Sequence, residues 1–248
     1  MENKKKYETP LHYMMAFVGG FFGVYTILSF CDLFGNAQTA NMIYFVTDLL
    51  GHDFTDACLR LGGVFLFVAA IALTVWLPKH SRIDLQVASL FLDAAAAVMA
   101  GLFPADIHPV LALYPFFFAT AFQWNSFKGA KGFASSTLFS TNNLKQFTMA
   151  ATEVLLNKDK THTVKAKFFG CTLLFFHVGV ACSFVARSFI GPRSIWLALM
   201  PLSISLYTVC LANDWLPLSV TAGAEERGIG SLTHRTPAHC QGTGMPGI

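Results

Sequence analysis

Apolar residues in this chain come as long unbroken runs, not at the spacing of a soluble amphipathic helix. Six runs, at 12–31, 58–77, 85–103, 110–127, 168–189 and 195–212, each hold about 20 mostly apolar residues, the length that carries an α-helix across a hydrocarbon core roughly 30 Å thick. Two shorter amphipathic stretches, 40–50 and 142–156, lie after the first run and after the fourth. At about 1.5 Å per residue the first reaches only about 16 Å, half of such a core. The second is longer but carries Lys145, Gln146 and Glu153, which lipid disfavours. Both open on a similar polar head. Thr39-Ala40-Asn41 lies over Thr141-Asn142-Asn143, Phe45 over Phe147, and the closing Asp53 over Asp159 after a four-residue insertion.

Positive charge decides whether the short stretches cross, because lysine and arginine concentrate on the cytoplasmic side. If neither crosses and the N-terminus is cytoplasmic, Lys4, Lys5, Lys6, Lys79, Arg82, Lys128, Lys131, Lys145, Lys158, Lys160, Lys165 and Lys167 fall inside, and Arg60, Arg187 and Arg193 outside, 12 against 3. If both cross, the division is 8 against 7. The expected fold is therefore an all-α integral membrane protein of about six transmembrane helices plus two half-helices, with both termini cytoplasmic in the cell membrane. Three crossings per half force the halves into opposite orientations, the plan of two inverted three-helix repeats found in many secondary transporters. The expected organisation is a cytoplasmic segment 1–10, repeats 11–103 and 109–213, and a disordered cytoplasmic tail 214–248.

Composition agrees with a bilayer as solvent. Of 248 residues, 54% are hydrophobic and 12% charged, where soluble domains carry about 25% charged residues. A net charge of +3 is too small to imply a nucleic-acid partner. The basic start followed by a long run reads as a retained first helix and not a cleaved signal. None of the six cysteines forms a C-x-x-C pair, so buried, reduced thiols are expected. His234, His239 and Cys240 read as a solvated tail and not a metal site, and no cofactor is expected.

The stretches "FGNAQTANMIYFV" and "FQWNSFKGAKGFASSTLFSTNNLKQF" resemble the YoaK-like family of bacterial multi-pass membrane proteins, a domain of unknown function, over most of 14–213. That family's Thr-Gly-Asn element corresponds to Thr39-Ala40-Asn41, its Gln-Asn pair to Gln123-Trp124-Asn125, and its second Thr-Gly-Asn-like element to Thr141-Asn142-Asn143. Many members carry an Asp in the first helix where this chain has Gly23, so no proton-coupling role transfers to that position. The resemblance implies a transporter and names no substrate.

The residues themselves suggest a site. Thr39 or Thr141 is placed to cap a helix start, whose free N–H groups and positive dipole end attract an anionic or strongly polar group. Asn41, Tyr44 and Asp48 share one helical face, as do Asn143 and Gln146. Two half-helices entering from opposite sides would bring these tips near the midplane. The alternative is that the same residues join helices through hydrogen bonds. Of Gln123 and Asn125, two apart, one is expected to line a cavity. Asp93, mid-helix among alanines, is a proton-coupling candidate with Asp48 and His177, although His177 better suits an interhelical hydrogen bond. Arg60, Arg187 and Arg193 are expected to snorkel at the outer interface, and Gly19-Gly20 and Gly62-Gly63 to mark close helix packing. No H-E-x-x-H, G-x-S-x-G or Walker A pattern occurs, so an enzyme or ATP-driven pump is not expected. The expectation is a secondary transporter of a small polar or anionic solute, with lipid as its surroundings and homo-oligomerisation left open. The alternative is a non-catalytic membrane module that partners or regulates another complex.

Overall fold

Two of the long helices begin where a carboxylate meets free backbone N–H groups. In the computed structural model, which describes residues 2–30 and 32–215, Asp53 accepts from the Asp56 N–H at the head of α3 (Phe54–His80). Asp84 accepts from the N–H groups of Gln86 and Val87 at the head of α4 (Leu85–Leu102). Before them come α1 (Glu2–Ser29) and the short α2 (Thr39–Leu50), which ends at Gly51. After them α5 (Pro109–Ala112) and α6 (Tyr114–Ser126) lead to a two-residue hairpin, β1 (Gly129–Ala130) with β2 (Phe133–Ala134). The second short helix, α7 (Ser140–Leu155), follows, then α8 (Thr163–Ile190) and α9 (Leu199–Ala212). Both half-helices thus form within two residues of the boundaries that the polar heads predict.

Four stretches are long and apolar enough to cross a membrane: Asn3–Ser29, Phe54–His80, Leu85–Leu102 and Lys160–Ala212. The last, 53 residues, spans more than one helix: Gly191, at φ +73°, ends α8, and a 3-10 segment, Gly191–Ala198, leads into α9. Two of the six expected runs are therefore not single long helices. The 110–127 run divides at Leu113 because Pro115 has no N–H to give and its ring crowds the preceding turn. The 195–212 run enters through 3-10 turns. The outer face is apolar: Phe65, Phe91, Phe189 and Met200 are each more than 60% exposed. Chain, helix length and surface identify a helical protein of membrane type.

The core gathers around α1, the most buried of the long helices. It packs on α8 and α9, while α6 packs on α3 and α4; α2 lies on α3, α7 on α8, and α4 on α9. The α1–α8 contact is a reciprocal pair of glycine seats. A Cβ on Gly20 would collide with the Phe176 carbonyl of α8, and one on Gly179 of α8 with the Phe17 carbonyl of α1. Gly19 likewise admits the backbone of Thr137, Gly62 the hydroxyl of Tyr114, and Gly63 the ring of Phe117, as the paired glycines predict. Cys58 and Cys182 are free but lie on the outer surface, correcting the expectation of burial. Cys31, Cys240, His234, His239 and the tail from 216 lie outside the described residues.

Candidate binding site between two half-helices

The segments that deliver the chain to the half-helices are bound tightly to the core. Ahead of α2, Asn36 donates from Nδ2 to the Gly19 carbonyl (2.8 Å), and the Gly35 N–H donates to the Thr26 hydroxyl (3.0 Å). Ahead of α7, Gln123 donates from Nε2 to the Thr137 hydroxyl (2.9 Å) and the Met15 carbonyl (3.3 Å). Polar side chains here satisfy irregular backbone that lipid would not. Each segment then releases a helix whose first turn has no side-chain cap: neither Gln38 before α2 nor Phe139 before α7 bonds a free N–H. The expected caps do not form. Thr39 and Thr141 stand inside their helices, one and two steps past the capping positions, with exposed side chains.

Both uncapped tips open into one cavity of about 950 Å³. Gln38 just before α2 lines it with Thr39 and Met42 of α2; Ser140, Thr141, Asn142 and Lys145 line it from α7. Phe34, Phe67, Trp124, Phe139 and Phe176 supply aromatic wall. Phe67 and Phe176 stand at the middle of α3 and α8, thirteen residues in from each start. The cavity therefore lies halfway along the two long helices. Two polar atoms at the tips are buried without a partner, Gln38 Nε2 and Ser140 Oγ. Gln38 is itself 93% buried, its exposure being 7%. An unpaired buried donor costs roughly 1–3 kcal/mol, so these atoms suit a ligand that accepts hydrogen bonds.

Of the residues expected at the site, Thr39, Thr141 and Asn142 line the cavity. Asn41 and Asn143 do not. Asn41 donates to Gln38 Oε1 (2.7 Å) and to the Arg60 carbonyl (3.1 Å), and Asn143 to the Ser136 and Phe139 carbonyls. Gln123 is buried in the bonds given above and does not line the cavity, and Asn125 and Gln146 are half-buried outside its wall. The shared face of Asn41, Tyr44 and Asp48 is real, but a single residue, Arg60 of α3, occupies it. The Arg60 guanidinium pairs with Asp48 and lies over the Tyr44 ring (4.7 Å). Arg60 is thus buried and bound, not snorkelling. Arg187 donates to Ser29 (3.1 Å), and Arg193 lies over Trp196 (6.0 Å).

The Asp93–His177 pair does not form. Fully buried Asp93 takes a long bond from Ser89 of its own helix (3.5 Å), and exposed His177 bonds the Leu173 carbonyl of its own (2.8 Å). Outside the membrane helices, exposed Asp159 opens the 3-10 turn before α8. Hydrogen bonds from the Thr161 hydroxyl and N–H, helped by His162, hold its carboxyl below the ordinary range. Sequence reasoning missed Gln38, Ser140 and Lys145. The signal was present: each of the first two immediately precedes the aligned threonine.

A family profile described as "Protein of unknown function (DUF1275)" matches residues 11–208. No curated protein and no solved structure matches the chain.

Proposed function

The chain belongs to the DUF1275 family of proteins of unknown function, and we propose that it is a secondary transporter whose solute, a small organic anion, binds between the N-termini of α2 and α7. The observation that carries this reading is the single cavity faced by both uncapped tips. Its polar atoms favour negative charge: Gln38 Nε2 and the Lys145 ammonium are donors, two helix dipoles point their positive ends inward, and no carboxylate is among the lining residues. Its aromatic wall asks for more than an inorganic ion. A carboxylate carried on a compact apolar body fits both parts. The proposed setting is a multi-pass protein of the cell membrane with cytoplasmic ends, non-enzymatic, and of YoaK-like kinship within the family.

The inverted-repeat plan is part of the proposal. It is supported by the pairing of helices: exchanging α1 with α6, α2 with α7, α3 with α8 and α4 with α9 leaves the principal pairings unchanged. The equal placement of Phe67 and Phe176 follows the same exchange. A second reading, a non-catalytic module that docks on another membrane complex, is favoured by Asn41 and Asn143, whose amides are spent on structure.

Thermal unfolding of detergent-purified protein tests the proposal. An organic anion at about a hundred times its dissociation constant stabilises by about 2.7 kcal/mol, a rise of a few degrees in Tm. Gln38→Leu and Lys145→Gln fold but lose the rise, and neutral isosteres do not produce it. Equal rises in the variants, or for neutral and charged solutes alike, would overturn the site.

A further inference from the structure

His12 of α1 is the one buried imidazole among the described residues, and it takes no part in the site above. Its ring stacks on Phe168 of α8, centroids 5.3 Å apart. It forms part of the wall of a second cavity of about 180 Å³, shared with Lys4, Glu8, Gln86, Ser126 and Lys128. The hydrogen bonds around it determine its tautomer. Asn143 Nδ2 donates to two carbonyls, so its Oδ1 is left as an acceptor. The Ser135 hydroxyl, 2.9 Å from that oxygen, gives its only proton there. Toward His12 Nε2, 3.0 Å away, Ser135 Oγ must accept. Nε2 therefore carries the hydrogen, and Nδ1 keeps a lone pair, buried and without a partner.

The same bonds lead on to the large cavity. Asn143 also holds the Phe139 carbonyl (3.1 Å), and the Phe139 ring meets Trp124 edge-on at 4.9 Å. Phe139 and Trp124 are both walls of the central cavity. His12, Ser135, Asn143 and Phe139 thus join the small cavity to the α7 tip.

We infer that His12 is a proton-binding site whose occupancy is felt at the α7 tip. A hydronium ion entering through the small cavity gives up one O–H proton to the Nδ1 lone pair and leaves as water, and the Nε2–H bond to Ser135 is kept. The new imidazolium faces Glu8 and Lys4 of its own helix and Lys128 after α6. Gln86 of α4, Phe168 of α8, Ala212 of α9, Ser135 and Asn143 also surround the site or its cavity, and none of these titrates. Glu8 favours the charge and the two lysines oppose it. A role in coupling proton and solute movement rests on the transporter reading; proton binding itself does not.

Full-length protein with 15N-labelled histidine, in lipid nanodiscs and with Trp124 as its only tryptophan, provides the test. At pH 9 His12 should carry its hydrogen on Nε2. On acidification to pH 4 it should gain the Nδ1 proton, with Trp124 emission shifting at the same midpoint. His12→Gln keeps a donor for Ser135 and should abolish the emission transition. Ser135→Ala should leave His12 titrating but uncouple it from Trp124. An Nδ1–H tautomer at pH 9, no protonation down to pH 4, or an emission transition that persists in His12→Gln would overturn the inference. Solute-induced thermal shifts at one fixed pH stand apart from this result. Their absence would sink the transporter reading alone.

Discussion

Arg60 is the residue on which the first half-helix depends. Its guanidinium serves Asp48 and Tyr44 while its carbonyl receives Asn41, and the side chains of the ion pair are 10% and 20% exposed. Removing one partner from such a pair strands the other charge, a loss of about 3 kcal/mol or more. Arg60→Met should therefore lower Tm sharply, and the double variant Arg60→Met with Asp48→Leu should recover much of it; equal Tm for the single variant and wild type would refute the clamp. Helical periodicity made the shared face of Asn41, Tyr44 and Asp48 legible. It gave no hint of Arg60, because that contact depends on how the turn Gly51-His52-Asp53 folds α2 back on α3. Gln38 and Ser140 were hidden for a different reason. Reasoning from caps selects the side chain able to bond a free N–H, whereas the neighbouring positions here face a cavity.

At the scale of elements, apolar content located every helix but not its continuity. The run 110–127 counts as one crossing by hydropathy, yet Pro115 divides it, and Gly191 with Pro192 breaks the path into α9. The paired glycines of α1 were legible as packing points; their partners were not. Gly20→Ala and Gly179→Ala press a methyl group into facing backbone, which cannot swing aside, and should each cost about 1–3 kcal/mol. A scan of melting temperatures checks this, and unchanged values would mean that the helices sit farther apart. The start of α8 should respond to acid. The Asp159 carboxyl is held below its ordinary value, so its contribution is present above the unfolded carboxyl's titration and fades as pH falls through the folded one. Asp159→Asn should remove that acid response of the local amides in hydrogen exchange, and an unchanged response would assign it elsewhere.

For the whole molecule, the proposed inverted arrangement is a statement about sides. Cysteines placed singly at Asp53 and Lys158, in a background with native cysteines replaced, should label from opposite faces of sealed vesicles; labelling from one face would end the inverted plan. The exchange that relates the two halves is also imperfect in one respect. α2 is moored to its long neighbour by a charged clamp, whereas α7 has no ion pair among the described residues and meets α8 through Phe147 against Gly170. The two tips are then anchor and tiller. If the cavity changes the side to which it opens, α2 should travel as one piece with α3 while α7 tilts over the Gly170 saddle, and the amides of α7 should exchange with deuterium well before those of α2.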